Sequence, residues 1–459
     1  MRSREPRLSP RDVVRAGLCI GCGACVAASD GRGRMQLDAY GQLRPHGPRD
    51  WYATRTAAFA RTCPFSSAAR DEDQLAEDLY PAAPRRDGRI GRHVAAYVGW
   101  AETEDFRAAG SSGGLVSWTA AALLQAGLVD AVAHVAPGEG AERLFRYRIS
   151  RSVDEVRGGA KSRYYPIELS AVLQEIRTVP GRYAVIGVPC FIKAVRLACR
   201  EDPQLGERVR FTLGLFCGHM KSARMAESHA WQMGLRAGDI ASIDFRAKDP
   251  SRPANWYATR IGLPDGGERR RDWWHMADGD WGAGFFQASA CDACDDVTAE
   301  VADVSFGDAW VEPYASDGRG TNVVVVRTRE LAALFERAAA DGALKLEPVD
   351  ADVVAATQAA GLRHRREGLA LRLAHWRGRP PRKRVAPTGR GLPLRRRAIY
   401  AMRRSVARWS HRMFWLARRL RWPGLYLGWA LATLRTYQAL TYSRGPLGAA
   451  IDRISGPAR

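Results

Sequence analysis

The spacing of apolar positions changes several times along the chain, and each change marks a candidate element. Residues 1 to about 90 show little periodic apolar pattern and are rich in Cys, Gly, Arg and Asp. A segment without an apolar face of its own cannot build a core, so a metal centre is expected to hold it together. The polar, turn-rich run Pro81–Gly91, PAAPRRDGRIG, reads as a linker. From Val94 the pattern becomes globular. Leu115–Gln125 predicts a helix ending at Gly127, Leu128–Val135 a strand, and Leu169–Arg177 a second helix. Tyr183–Val188, YAVIGV, predicts a buried strand running into Pro189-Cys190, with Phe191–Cys199 as the next helix. Phe211–Phe216, Val301–Phe306 and Asn322–Val326 are further strand candidates, and Leu331–Ala340 is helical. Strands alternating with helices predict an α/β, or mixed α+β, body over 91–180 and 181–362.

Residues 363–459 follow a different pattern. RGRPPRKR at 377–384 reads as a polar hinge. In Leu394–Arg421 the apolar Ile399, Met402, Val406, Trp409, Met413 and Leu416 recur every three or four residues with arginines between them. That spacing predicts an amphipathic basic helix. Trp422–Leu434 is an uncharged run of 13 residues, too short to span a bilayer, and it contains Pro423.

Charge sharpens this division. The net charge is +21, yet residues 363–459 alone carry 24 Lys and Arg against two acids, Glu367 and Asp452. The rest of the chain sums to −1. Interleaved Arg and Trp fit a helix lying on an anionic membrane surface; docking to a partner protein or to the body are the alternatives. No nucleic-acid module appears, so no nucleic acid is expected as a partner.

A chain of 459 residues is long enough for two or three domains, and 46% hydrophobic with 26% charged residues excludes a disordered or fibrous protein. The N-terminus, MRSREPRLSPRDVVRAG, is charged and has no apolar core of a secretory signal. A cytoplasmic location is therefore expected, peripheral to the inner face of the membrane if the tail binds lipid. Nine cysteines in such a compartment are expected as thiols that serve metal binding or catalysis.

Cys19, Cys22 and Cys25 stand in CIGCGAC, and Cys63 follows at a distance with Pro64 after it. Three closely spaced thiolates plus a remote Cys-Pro are a ligand pattern of a [4Fe–4S] cluster, because one loop can wrap three corners of the cube. A structural zinc site also takes four thiolates and is the alternative. Cys190 and Cys217 each end a predicted strand, and Cys291 and Cys294 form CDAC. These four can converge into a second four-thiolate site, or Cys190 and Cys217 can be buried core thiols. Cys199 is left over and reads as structural.

Six segments together resemble the coenzyme F420 hydrogenase/dehydrogenase beta-subunit family. They are CIGCGAC, GSSGGLVSWTAAALLQAGLVDAVAHV, KSRYYPIELSAVLQEIR, RYAVIGVPCFIKAVRL, LGLFCGH and CDACDDVTAEVADVSFGDAW, in the family's order over roughly residues 15–312. Ferredoxin-dependent tetrapyrrole reductases look similar in the same segments. The resemblance implies a small N-terminal ferredoxin-like iron–sulfur domain (1–90), one or two [4Fe–4S] clusters, and FAD. It implies that Cys190, Cys217, Cys291 and Cys294 hold the second cluster. It also implies that Gly110, Ser111, Ser112, Gly113 and Gly114, with Lys161, Ser162, Arg163 and Tyr164, lie around the flavin. Backbone N–H groups before a helix suit a pyrophosphate, and Lys161 and Arg163 suit a phosphate or an anionic reduced flavin. Only four cysteines precede Lys161, whereas many relatives carry eight, so this chain resembles the single-cluster N-terminal version.

His219 and Lys221, in CGHMKS, follow a candidate ligand and can donate a proton or bind an anionic substrate; packing around a cluster is the other reading. The expectation is an oxidoreductase that takes electrons from a ferredoxin or from reduced coenzyme F420 and passes them to an organic acceptor. The alternative is a non-catalytic relay subunit of a larger hydrogenase or dehydrogenase complex.

Overall fold

A computed structural model describes residues 5–103, 105–138 and 143–455. The N-terminal segment folds as short helices around a hairpin of β1 (Arg34–Leu37) and β2 (Leu43–His46). A second small hairpin, β3 (Arg85–Asp87) and β4 (Gly91–His93), occupies the expected linker. The body is an eight-stranded sheet of β5 (Ala95–Ala101), β6 (Ala131–Pro137), β7 (Phe145–Ser150), β8 (Tyr183–Gly187), β9 (Val209–Leu215), β13 (Val304–Asp308), β14 (Asn322–Val326) and β15 (Leu344–Pro348). Between β9 and β13 the chain adds a separate antiparallel sheet of β10 (Ser242–Ala247), β11 (Ala258–Gly262) and β12 (Glu268–Asp272).

The spatial order of the large sheet is β15-β5-β14-β13-β9-β8-β6-β7. Its centre, β6, β8, β9 and β13, is parallel, and antiparallel strands flank it. The strands β8 and β14 are buried at every position, as strands covered on both faces must be. Alternate residues then feed different cores. Ala184 and Ile186 join one cluster with Leu115, Trp118, Leu331 and Phe335 from the helices Leu115–Gln125 and Arg329–Ala340. Tyr183 and Val185 point the other way.

That second core gathers Val13, Leu18 and Phe65 from the N-terminus, Phe191 and Val195 from the body, and Phe414, Tyr426 and Tyr437 from the C-terminus. The basic segment is helical as expected, over Ala359–Ala374, Leu394–Arg419, Pro423–Tyr442 and Gly445–Ser455. It does not stand apart from the body. Phe414 stacks on Trp231 at 4.3 Å, Tyr426 Oη donates to Asp278 at 2.9 Å, and the backbone N–H of Phe286 donates to Ser410 Oγ at 2.8 Å. Among the described residues no helix is long and apolar enough to cross a membrane.

Five predicted strands and the helices match the structure to within a few residues. The strands β1 to β5, β7, β10 to β12 and β15 escape the pattern. The strand β12, ERRRD, has no apolar residue and lies at the edge of its sheet, paired with β11 alone.

Candidate metal centres and cofactor site

All the parallel strands, and β5 with them, end at one edge of the sheet, where α/β proteins place their sites. Cys190 follows β8 there, Cys217 follows β9, and Gly110–Gly114 follows β5.

Cys19, Cys22, Cys25 and Cys63 line a single, mostly apolar cavity with Gly21, Gly23, Pro64 and Phe65. Gly21 and Gly23 both have φ of +80°, and a β-carbon on Gly23 would meet Glu168 Oε2 at 2.5 Å. The loop can therefore fold tightly enough to aim three sulfurs inward. Burial pushes the Cys22 thiol up to about 12, with Cys19 adding to the effect, and Cys25 well above its ordinary value, with Cys22, Cys19 and Cys63 adding to it. The backbone N–H groups of Ala24 and Phe65 work the other way and favour thiolate at Cys22 and Cys63. Four thiols lining one cavity, one buried and three half-buried, suit a metal centre, because cationic iron makes the thiolate forms stable.

The second set also converges. Cys190 opens the helix Pro189–Glu201, while Cys291 and Cys294 sit on a short 3-10 turn, Ser289–Ala293, and just after it. The Cys190 thiol is raised first by burial and then by Cys294, Cys217 and Cys291. Cys22 also acts on it, and both Cys190 and Cys22 act on Tyr147, so the two sets are neighbours. The backbone N–H of Met220 donates to Cys291 Sγ at 3.3 Å. Among the described residues no three His, Cys, Asp or Glu gather closely enough for a single metal ion. Cys199 lies further along the Pro189–Glu201 helix, apart from both sets.

The expected flavin segments are brought together across 51 residues of chain: Ser162 N–H donates to Ser111 Oγ at 2.9 Å. Not every residue there faces outward. Ser112 Oγ donates to Thr321 O at 2.9 Å, and a β-carbon on Gly113 would meet Gly99 O at 2.6 Å and Asn322 N at 2.9 Å. Gly114, at φ +80°, packs against Phe106. These glycines thus let the loop pack between β5 and β14. Beneath the loop, Lys248 Nζ donates to the carbonyls of Arg107, Ser112 and Arg319 at 2.6 to 2.7 Å. Lys161 pairs with Asp244 at 3.4 Å, and the buried Arg163 Nε has no partner. Two lysines thus lie at the loop, Lys161 answered by Asp244 and Lys248 held by three carbonyls, and they fit the pyrophosphate of a dinucleotide. Tyr164 packs against Trp281, centroids 4.7 Å apart.

Trp281 links this region to the expected catalytic pair. His219 stacks on it at 4.4 Å, and Lys221 Nζ lies 4.6 Å from its ring while donating to Phe285 O at 2.6 Å. Burial lowers Lys221 to about 7 and His219 well below its ordinary value. His219 Nε2 has no partner. A neutral, buried imidazole stacked on an aromatic ring can exchange a proton with a group placed against it.

Two family models match the chain, both of the coenzyme F420 hydrogenase/dehydrogenase beta subunit. The one for the C terminus matches residues 181–352, and the one for the N-terminal part matches residues 96–174. The chain belongs to this family. As a beta-subunit family member it is an oxidoreductase-type electron-transfer protein. Its fold is similar to a chain in the xenon-derivatised F420-reducing [NiFe] hydrogenase complex from Methanosarcina barkeri, at 17% identity and a TM-score of 0.50. That match covers 65% of this chain and 99% of the other. No curated protein matches the chain in sequence.

Sequence reasoning missed Lys248, Trp281, Arg365 and Arg372 around the beta-subunit body. Lys248 follows a strand that escaped detection, and Trp281 is one of 14 tryptophans without a motif. The two arginines lay in a segment assigned to surface attachment.

Proposed function

We propose that the chain is an iron–sulfur flavoprotein passing electrons between reduced coenzyme F420, or a ferredoxin, and an organic acceptor. The observation that carries this reading is a pair of neighbouring four-cysteine sets, the second linked to the glycine loop through Trp281, which packs on both His219 and Tyr164. Cys19, Cys22, Cys25 and Cys63 would hold one [4Fe–4S] cluster, the N-terminal segment acting as its ferredoxin-like carrier. Cys190, Cys217, Cys291 and Cys294 would hold the other. Gly110–Gly114 and Lys161–Tyr164 would bind FAD, which supplies a junction between one-electron and two-electron steps. Here Lys161, Lys248 and Arg163 would neutralise phosphate, and the half-buried Trp281 and Tyr164 would limit access of water. His219 and Lys221 stand ready to exchange a proton on the Trp281 side.

A second reading is supported by the fold similarity to a member of a hydrogenase complex. In it the chain relays electrons to partner proteins and does no substrate chemistry itself. The two readings separate on purification. A free-standing enzyme, purified anaerobically, shows dye-linked or ferredoxin-linked turnover and releases FAD on denaturation. A relay protein is recovered together with its partners and turns over only with them. Protein containing zinc without sulfide sinks both.

The C-terminal helices would also attach the protein to the inner face of an anionic membrane. One face packs on the body, while Trp409, Trp415, Leu420 and Trp422 remain exposed among arginines.

A further inference from the structure

The family match ends at residue 352, and the helix Ala359–Ala374 lies beyond it. This helix carries cations directly to the second cysteine set. Arg365 is buried, and its Nη2 donates to the carbonyls of Cys217 and Gly218. Its Nε and Nη1 have no hydrogen-bond partner. Arg372, also buried, donates from Nε to Asp292 O at 2.7 Å, between Cys291 and Cys294. Its Nη2 donates to His364 O at 3.1 Å, and Nη1 is unpartnered. Among the described residues neither arginine is in an ion pair.

Two buried guanidinium groups outside any ion pair are costly, and such groups persist where an anion answers them; Asp292 is the first charge acting on Arg372, while Arg365 has no carboxylate of its own among the described residues. The groups acting most on Arg365 after its own burial are Cys294, Cys291, Cys217 and Cys190, in that order. The first cysteine set differs. Arg44 reaches the Cys19 carbonyl, but its charge is answered by Asp38 at 3.3 Å.

We propose that Arg365 and Arg372 are the counter-charge of an iron–sulfur cluster at Cys190, Cys217, Cys291 and Cys294, and make it easier to reduce than the cluster at Cys19, Cys22, Cys25 and Cys63. This rests on reading the second set as a cluster site. Adding one electron makes a cluster one unit more negative. A fixed positive charge nearby in a low-dielectric interior stabilises the reduced form more than the oxidised one. One electron leaving the first cluster then reduces the second, and the difference favours that direction. The arginines are positioning and tuning groups, since they touch the loop that presents the sulfurs.

The test is an EPR-monitored redox titration of the anaerobic full-length protein, with dithionite as reductant. Cys25→Ala and Cys291→Ala assign each signal to its cluster. In Arg365→Gln the second cluster's midpoint is expected to move to more negative potential, the first cluster's to stay, and iron to remain at about eight per chain, four for each cluster. Arg365→Lys, which keeps the charge, is expected to recover most of the shift. An unmoved second midpoint in iron-replete Arg365→Gln overturns the proposal. If that variant loses iron, Arg372→Gln decides in the same way. Wild-type protein with about four iron atoms and a signal indifferent to Cys291→Ala removes the second cluster itself, which is a different failure from an unmoved midpoint.

Discussion

Lys383 Nζ lies 2.9 Å from Asp295 Oδ1, and neither side chain is more than 3% exposed. This buried pair joins the basic C-terminal segment to the residue after Cys294. Arg384 reinforces it, donating from its backbone to Asp295 Oδ2 at 3.2 Å and from Nη1 to Glu300 Oε2 at 2.6 Å. Removing one member of such a pair leaves an uncompensated charge and costs about 3–5 kcal/mol. Lys383→Met is therefore expected to lower stability to denaturant by about that amount. A chain ending near Arg377 is expected to lose the iron of the second set or to aggregate. A soluble truncated protein with full iron would show that the segment is separable after all.

The two cysteine sets make a prediction of their own. Cys25→Ala and Cys291→Ala are each expected to remove about four iron atoms and about four sulfides and to leave the rest in place. Loss of all the iron from either variant would mean that the two sets form one cooperative unit.

At the glycine loop the expected effect of substitution is structural. A β-carbon on Gly113 meets the backbone of β5 and β14 first. Gly113→Val is expected to displace the loop and cut flavin content several-fold, and to lower stability by about 1–3 kcal/mol, as overpacking does. Iron bound at Cys19, Cys22, Cys25 and Cys63 is expected to stay. Flavin retained at wild-type level would argue that FAD binds elsewhere.

A pH dependence follows from Asp317, which holds Arg107 beneath the same loop at 2.9 Å. Hydrogen bonds from the Arg319 side chain and backbone, with the charges of Arg107 and Arg319, lower Asp317 from 3.8 to about 2. Its folded value is depressed, so its stabilisation is complete above pH ~4 and is lost as pH falls toward ~2. With partial exposure allowed for, about 1–2 kcal/mol is at stake. Asp317→Asn is expected to lack this loss between about pH 4 and about pH 2 in acid unfolding followed by intrinsic fluorescence.

The exposed side of the C-terminal helices is expected to bind lipid. Ten of the 15 exposed large hydrophobic residues among those described lie between Leu394 and Ile454, which concentrates the apolar surface where the positive charge is. Full-length protein should co-sediment with anionic vesicles at low salt, and less so at about 1 M salt, where screening is strong. Arg408 and Arg412 are both exposed. Replacing both with Ser should weaken binding roughly thirty-fold, at about 1 kcal/mol per charge. Indifference to anionic vesicles at low salt would leave a protein partner as the occupant of this face.

Local chemistry was legible in the sequence. The spacing of CIGCGAC with a remote Cys-Pro, the buried strand YAVIGV and the helix after GSSGG depend on neighbours within a few residues, so sequence pattern determined them. The amphipathic period of Leu394–Arg419 was equally clear, because it depends only on the helical repeat. What that helix packs against depends on surfaces hundreds of residues away. Phe414 meets Trp231 and Phe286, and Ser410 meets the Phe286 backbone, which no local pattern encodes. The same holds for charge. A run of Arg and Lys reads as a solvated or lipid-facing surface until the fold shows which members are buried. Tertiary structure placed Arg365, Arg372, Lys383 and Arg384 inside, against acids and cysteines far away along the chain. Convergence of Cys190, Cys217, Cys291 and Cys294 was decided in the same way: Cys190 and Cys217 follow parallel strands that end together at one edge, and Cys291 and Cys294 reach them from the turn before β13.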